Sequence, residues 1–276
     1  MSIIPDTYKR SGVEFKTSQN YWGLVRELAA ADFKLKYQGS VFGYFWSLMK
    51  PLAIFGVLYL VFTVFVRIPS DIKDYPVYLL LGIVLWNYFA ESTSNGMRSI
   101  VDKSDLIRKV YFPRIVILLG SSISALITLL LNLLVIVTFM IFARIPVDFL
   151  SLAFFPLVFE LFILTLGISF FLAALFVKYR DFAYIWEVAL QLLFYASAII
   201  FPLNIVPHRF QVFLSLSPIT QIIQDARKVL ISSKTITTVD ILHNPLHFIP
   251  YLIPFILLIA GYSYFEKASS RFAEDV

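Results

Sequence analysis

The stretch SNGMRSIVDKSDLIRKVYFPRIVILL, residues 94–119, decides how this chain is read. It joins two strongly apolar runs, yet Arg98, Asp102, Lys103, Asp105, Arg108, Lys109 and Arg114 crowd into seventeen of its positions around Pro113. A connector between membrane-embedded runs needs only to stay wet. This one also interleaves Leu106, Ile107, Val110 and Tyr111 with its charges. The pattern predicts a short amphipathic helix on which something docks, against the plainer alternative of a solvated basic loop.

Composition sets the class of the flanking runs. The 276 residues are 59% hydrophobic and 15% charged, with a mean hydropathy of +0.80, more apolar than a soluble domain of this size can bury. A bilayer can take up that surface. The absence of cysteine excludes disulfides, thiolate metal sites and thiol nucleophiles. The first twenty residues are polar and mixed in charge, so insertion is expected to use the first span rather than a cleaved signal. The net charge of +5 is spread in clusters beside the apolar runs, which argues against a nucleic-acid partner.

A spanning helix needs about 20 mostly apolar residues. Six segments are expected to span, at roughly 42–66, 76–97, 115–142, 152–177, 183–201 and 248–265, with prolines such as Pro69, Pro113, Pro146 and Pro250 at their edges. With the N-terminus inside, inner segments carry 16 Lys and Arg and outer ones 7, so both termini are predicted to be cytoplasmic. The predicted fold is an all-α integral membrane protein. It has a cytoplasmic N-terminal segment with an interfacial helix (1–41) and a six-helix transmembrane domain (42–276).

In NYWGLVRELAAADFKLKYQ (20–38), Tyr21, Leu24, Val25, Leu28, Ala31 and Leu35 share one side of a helical wheel, with Arg26, Glu27 and Lys34 opposite. Asp32 and Lys36 interrupt the apolar side. The segment is expected to lie in the membrane interface, anchored by Arg26, Lys34 and Lys36; taken alone it reads more readily as a generic positive-inside anchor. The outer segment 202–247 is too long for a simple connector. Within it, FLSLSPITQIIQDARKVLISS (213–233) predicts a re-entrant or surface helix before the last span, with Pro218 near its start and Arg227 near its end.

Several chemistries have no counterpart in the sequence. No glycine-rich phosphate cradle precedes a Lys-Ser/Thr pair, so ATP is not expected to bind this chain directly. His243 and His247 have helical spacing, but Pro245 lies between them, and no metal site is predicted. Catalysis is not expected. Asn87 and Glu91 in the second span, Glu160 in the fourth, and Glu187 and Gln191 in the fifth are expensive in lipid. They either line a shared polar cavity or bond between helices at about 0.6 kcal/mol each, and both readings stay open. Aromatics total 28 Phe, 15 Tyr and 4 Trp, more than interfacial belts need. Tyr59, Trp86, Trp186 and Tyr195 fall at membrane depth and offer faces on which sugars could slide.

Four separated blocks then point one way. LAAADFKLKYQGSVFGYFWSLMKPL (28–52), the run from Leu79 to Leu119, LAALFVKYRDFAYIWEVALQLLFYASAIIFPLNIVP (172–207) and LSPITQIIQDARKVLI (216–231) resemble, in order, the type-2 ABC exporter permeases that move bacterial polysaccharides. The resemblance covers about 28–232. The last span agrees in position only, and Glu91 stands where the family pattern has a small or amide residue.

The resemblance implies the membrane subunit of an ATP-driven exporter of lipid-linked polysaccharide, in the cytoplasmic (inner) membrane of a bacterium, working as a homodimer. ATP and Mg would act through two copies of a separate ATP-binding subunit. A coupling helix would form from Asp102, Ser104, Leu106, Ile107, Arg108, Lys109, Val110 and Tyr111, with Asp102 or Ser104 as its cap. The lipid-pyrophosphate end of the glycan would load near the interfacial helix. Tyr59, Trp86, Asn87, Glu91, Trp186, Gln191 and Tyr195 would belong to the conduit, and Pro202, Pro218 and Arg227 to an outer gate. A permease for teichoic acid, a drug or a small lipid is the alternative within transport. A membrane-embedded transferase of lipid-linked sugars is the alternative outside it, although the outer segment shows no tight carboxylate pair.

Overall fold

The computed structural model describes residues 20–38, 42–43, 45–65, 74–110, 112–242, 245–270 and 272. The N-terminal segment before residue 20 and Tyr111 of the connector lie outside the described residues. Within them the chain is helical, with no strand. The interfacial segment is α1 (Asn20–Tyr37), followed by α2 (Phe45–Tyr59), which continues as wider π-helical turns over Leu60–Phe65. Next come α3 (Tyr75–Asp102) and the short α4 (Ser104–Lys109) of the connector. After Pro113, α5 runs over Ile115–Ala143. It ends where Arg144 turns left-handed (φ 55°) and the Ile145 N–H reaches back to the Met140 carbonyl, a closure that satisfies late helix carbonyls. Then follow α6 (Phe154–Lys178, after a 3-10 turn at Phe149–Ala153), α7 (Phe182–Ala196), α8 (His208–Ser215), α9 (Pro218–Leu230), α10 (Thr238–Ile241) and α11 (Ile249–Ser269).

Among the described residues, four helical stretches are long and apolar enough to cross a membrane: Phe45–Phe65, Ile115–Ala143, Phe149–Lys178 and Leu246–Ser269. The second expected span, α3, has the length at 28 residues but carries a polar face. The fifth, α7, is apolar but has only 15 residues, short of the ~20 that a span needs.

Helix α3 is nevertheless the centre of the core. Leu79, Leu80, Leu81 and Ile83 are fully buried in near-succession, which a helix achieves only when neighbours cover it all round. Those neighbours include Leu129 and Ile136 of α5, Leu161 and Leu164 of α6, and Ile219, Ile222, Ile223 and Ala226 of α9. Helix α9 is therefore packed into the interior, not laid on a surface. Helices α6 and α11 cross very closely at two glycines. A Cβ on Gly167 would sit 2.6 Å from the Leu258 nitrogen, and one on Gly261 would collide with the Gly167 carbonyl oxygen. Small residues at such a crossing let backbones approach where lipid supplies no hydrophobic drive.

The expected fifth span, 183–201, needs a correction. Its helix stops at Ala196, and Ser197–Ile200 form buried non-helical backbone with Ala198 left-handed at φ 49°. Apolar periodicity does not reveal this break, because the residues after it are as apolar as those before. Non-helical backbone inside a membrane protein survives only where protein groups satisfy it.

Candidate functional site: a polar cavity and the connector beside it

Helix α1 docks along the first turns of α5. Val25 and Ala29 are buried, Leu24 and Leu28 half-buried, and a Cβ at Gly120 of α5 would already stand 3.0 Å from Leu28 Cβ. Tyr21, Trp22 and Leu35 remain exposed, as do Arg26 and Lys34. The two residues that interrupt the apolar side of α1 are the ones that bridge to α3. Asp32 pairs with Lys103 Nζ at 2.6 Å, and Lys36 Nζ pairs with Glu91 and donates to Thr128 Oγ1 at 3.4 Å.

That second bridge lies in a cavity of about 600 Å³ between α1, α2, α3 and α5. Asn87, Glu91 and Asn95 face it from α3 at four-residue spacing, and Thr128 and Asn132 face it from α5 at the same spacing. Lys36 comes from α1, and Ser47 and Lys50 from α2. The α5 groups are tied to their own helix, Asn132 Nδ2 donating to the Thr128 carbonyl at 2.9 Å and Thr128 Oγ1 to that of Ser124 at 3.3 Å. Asn87 Nδ2 is buried with no hydrogen-bond partner among the described residues. A second cavity of about 360 Å³ shares Lys36 and Asn95 and continues past Ser99 to Asp102 and Lys103. One polar tract thus runs from the inside of the helix bundle to the connector.

In the connector, α4 forms at the predicted place but is not capped as expected. Lys103 holds the N-cap position with no side-chain cap, and neither Asp102 nor Ser104 supplies one. The backbone takes over, with the Lys103 carbonyl accepting from the Leu106 and Ile107 N–H groups at 3.1 Å each. Leu106 is half-buried, and Ile107 packs against the inner cluster that contains Ile117 and Phe170. Arg108, Lys109 and Val110 are exposed.

The residues named for a conduit fall in four places. Asn87 and Glu91 share the cavity just described. Trp86, on the other side of α3, is buried against Phe194 of α7 with ring centres 5.7 Å apart, and Trp186 donates its indole N–H to Thr93 Oγ1 at 3.2 Å. Tyr59 stacks on Phe55 in α2, while Gln191 and Tyr195 are exposed on α7.

The residues named for an outer gate gather at the broken end of α7. Pro202 is buried just beyond the break, and Pro218 opens α9. Arg227 of α9 is fully buried, with its guanidinium 3.6 Å from the ring centre of Tyr78. It donates to the carbonyls of Ala198 (2.9 Å), Ile199 (2.6 Å) and Tyr78 (3.1 Å). Tyr75 OH donates to the next carbonyl, Ile200, at 2.7 Å. A Cβ at Gly82 would collide with Arg227 Nη2, so only glycine leaves room for this arrangement. Burial lowers the Arg227 pKa from its usual value, against the pull of Tyr78 and Tyr75.

Sequence reasoning missed the partnership of Lys36 with Glu91 and the role of Arg227 in the α7 break. The four-residue spacing of Asn87, Glu91 and Asn95 was the available signal for the first. An arginine amid Ile219, Ile222, Ile223 and Ala226 was the signal for the second. Among the described residues, no group of His, Cys, Asp and Glu is arranged to hold a metal ion.

The chain matches the ABC-2 type transporter family over residues 23–231, a stretch that takes in α1, the cavity, the connector and Arg227. It is 29% identical over 244 residues to an O-antigen export system permease protein RfbA of Klebsiella pneumoniae, which covers 88% of this chain and 91% of that protein. It is 28% identical over 260 residues to an O-antigen export system permease protein RfbA of Myxococcus xanthus, covering 93% and 96%. With the family matched across most of its length, the chain belongs to the ABC-2 type transporters, as a multi-pass membrane permease subunit whose ATP hydrolysis resides in a partner subunit.

Proposed function

We propose that this chain is the permease of an exporter that carries lipid-linked polysaccharide of O-antigen type across the cytoplasmic membrane of a bacterium. The observation that carries this reading is the polar tract beside α1, which gathers three lysines with several amide and hydroxyl groups in a largely apolar bundle. The names of the relatives agree with it. The pyrophosphate end of the substrate lodges by Lys36, and the glycan follows.

Six segments cross the membrane, the fifth as α7 continued by the buried non-helical stretch 197–200, with both termini cytoplasmic. Two copies pair, and the glycan passes between them along Tyr59, Gln191 and Tyr195, with Trp86 and Trp186 behind. In support, α2 and α7 are the apolar helices that their own chain covers least. Residues 102–111 seat in the ATP-binding subunit through Leu106, Arg108 and Lys109. The segment 202–232 gates the exit, and Arg227 fastens it from within.

The test uses the chain purified with its ATP-binding partner and reconstituted in lipid. Glycan-stimulated ATPase activity is expected. Leu106→Asp and Arg108→Glu should keep normal membrane levels but lose co-purification of the partner or its stimulation. Normal values of both in either variant would overturn the docking assignment, and ATPase activity indifferent to glycan would overturn the substrate.

A further inference from the structure

We propose that Glu91 is the resident counter-anion of the cavity beside α1, occupying Lys36 when the cavity is empty and admitting only a lipid head group with enough negative charge to displace it. This rests on the reading of the substrate as a lipid-pyrophosphate-linked glycan. It assigns Glu91 the role of a specificity determinant, not of a sugar ligand.

The geometry supplies both halves of the device. Lys36 reaches the cavity from α1 and meets Glu91 from α3, with Thr128 Oγ1 as a second acceptor 3.4 Å from the ammonium. Thr128 would keep Lys36 in the cavity after Glu91 let go. Both side chains of the pair are about a third exposed, at 31% and 30%, so water screens the attraction and the pair can exchange. Lys50 adds a second positive charge to the same wall, and Asn87, one turn before Glu91 on the same face, points a buried unpartnered amide. The neighbouring Asp32 is committed to Lys103 and does not compete for Lys36.

The charges then discriminate. A phosphodiester lipid such as phosphatidylglycerol carries one negative charge. That single charge can meet Lys50 or take the place of Glu91 at Lys36, but it cannot hold both lysines at once. A pyrophosphate diester carries two charges, enough to engage Lys36 and Lys50 together and to accept from Asn87. Ordinary anionic lipids, which vastly outnumber the substrate, are kept out by a carboxylate that costs the substrate little. A cavity with Lys36 and Lys50 but no Glu91 would attract both.

The experiment uses the detergent-purified complex with its ATP-binding subunit and a radiolabelled farnesyl-pyrophosphoryl sugar, a pyrophosphate diester, as probe. Phosphatidylglycerol and inorganic pyrophosphate serve as competitors. In the wild type, phosphatidylglycerol should compete poorly. In Glu91→Gln it should compete about fivefold better, corresponding to the ~1 kcal/mol upper end for a part-exposed pair. Lys36→Gln should lose probe binding whether or not Glu91 is also replaced.

Inorganic pyrophosphate should displace the probe, showing that the head group rather than the tail is read. Competition by phosphatidylglycerol unchanged in Glu91→Gln overturns the proposal. So does weaker probe binding in that variant, which would make Glu91 a ligand, or failure of inorganic pyrophosphate to compete. Partner co-purification reports whether each variant is folded. The charge selection can hold while glycan-stimulated ATPase activity is absent; that outcome rejects the transport reading alone.

Discussion

Replacing Arg227 with methionine should unfasten the end of α7. The side chain keeps roughly the apolar stem of arginine and removes the guanidinium. The carbonyls of Ala198 and Ile199 lie in non-helical backbone, so no intrahelical amide stands ready to replace the lost donors. Each buried carbonyl left without a donor costs about 1–3 kcal/mol. Stacking on Tyr78 is lost as well, at roughly 1–2 kcal/mol for a desolvated cation on an aromatic face. Against this stands relief of the desolvation that a buried charge suffers, which pulls the net value down. The expected loss is about 2–5 kcal/mol, in the range for breaking a buried charged network. Tyr75→Phe, which orphans only the Ile200 carbonyl, should cost about 1 kcal/mol by the same reasoning. Arg227→Lys should fall between, since a single ammonium cannot reach three carbonyls and stack at once. Thermal unfolding in detergent gives the ranking. Thiol labelling at Ile199→Cys, in a protein without cysteine of its own, should be slow with Arg227 intact and fast without it. An Arg227→Met protein that melts like the wild type and keeps the introduced thiol unreactive would refute the argument.

The close crossing of α6 and α11 makes Gly167→Val and Gly261→Leu severe, because a Cβ at either position meets backbone that cannot rotate away; folded protein recovered after size-exclusion chromatography should fall sharply for both. Asp32→Asn removes the 2.6 Å bridge to Lys103, which should cost about 1 kcal/mol and weaken glycan stimulation of ATPase activity without changing partner co-purification. Around α10, partial burial raises the Asp240 pKa, but the Thr237 N–H and hydroxyl and the Lys228 ammonium outweigh it and hold the carboxyl below its ordinary value. Its stabilising contribution is present above the unfolded-state value near 4 and fades as pH falls through the folded-state value, so Asp240→Asn should narrow the gap between melting points at pH 7 and pH 3. Single cysteines from Ser104→Cys and Ser232→Cys should label from opposite sides of the membrane; labelling of both from outside would overturn the orientation.

How much of this was legible follows from what each element had to show in one dimension. Helices α5 and α6 announce themselves, since an apolar run of their length bounded by proline and charge has few other fates. The connector helix was legible for a similar reason, through charges interleaved with Leu106 and Ile107. Its cap was not, because backbone carbonyls do at Lys103 what a side chain was expected to do. The break after Ala196 left no mark in hydropathy. Its trace lay thirty-one residues later, in an arginine that follows Ile219 and Ile223 at helical spacing. Gly167 and Gly261 are isolated glycines in apolar helices, and nothing in either helix alone says that the other will press against it.

Asp32 and Lys36 show why the same residues can look like blemishes in sequence and act as connections in the fold. They stand one turn apart on α1, and each reaches a different level of α3: Lys36 the cavity at Glu91, Asp32 the junction with α4 at Lys103. A four-residue separation on a helix is about 6 Å of rise, whereas Glu91 and Lys103 are separated by about 18 Å along α3. Long side chains and the angle between the helices make up the difference. A shift of α1 that follows Lys36 when Glu91 is displaced therefore pulls on the Asp32–Lys103 bridge at the start of α4. The apolar contacts of Val25, Leu28 and Ala29 with α5 limit such a shift to sliding or rotation rather than detachment. If the proposed displacement of Glu91 moves α1, occupancy of the cavity would be tied to the position of the connector through this one helix. The consequence can be measured. Replacing Asp32 should leave the charge preference of the cavity intact while reducing what the ATP-binding subunit senses of it; loss of both together would mean that α1 itself had come away from α5.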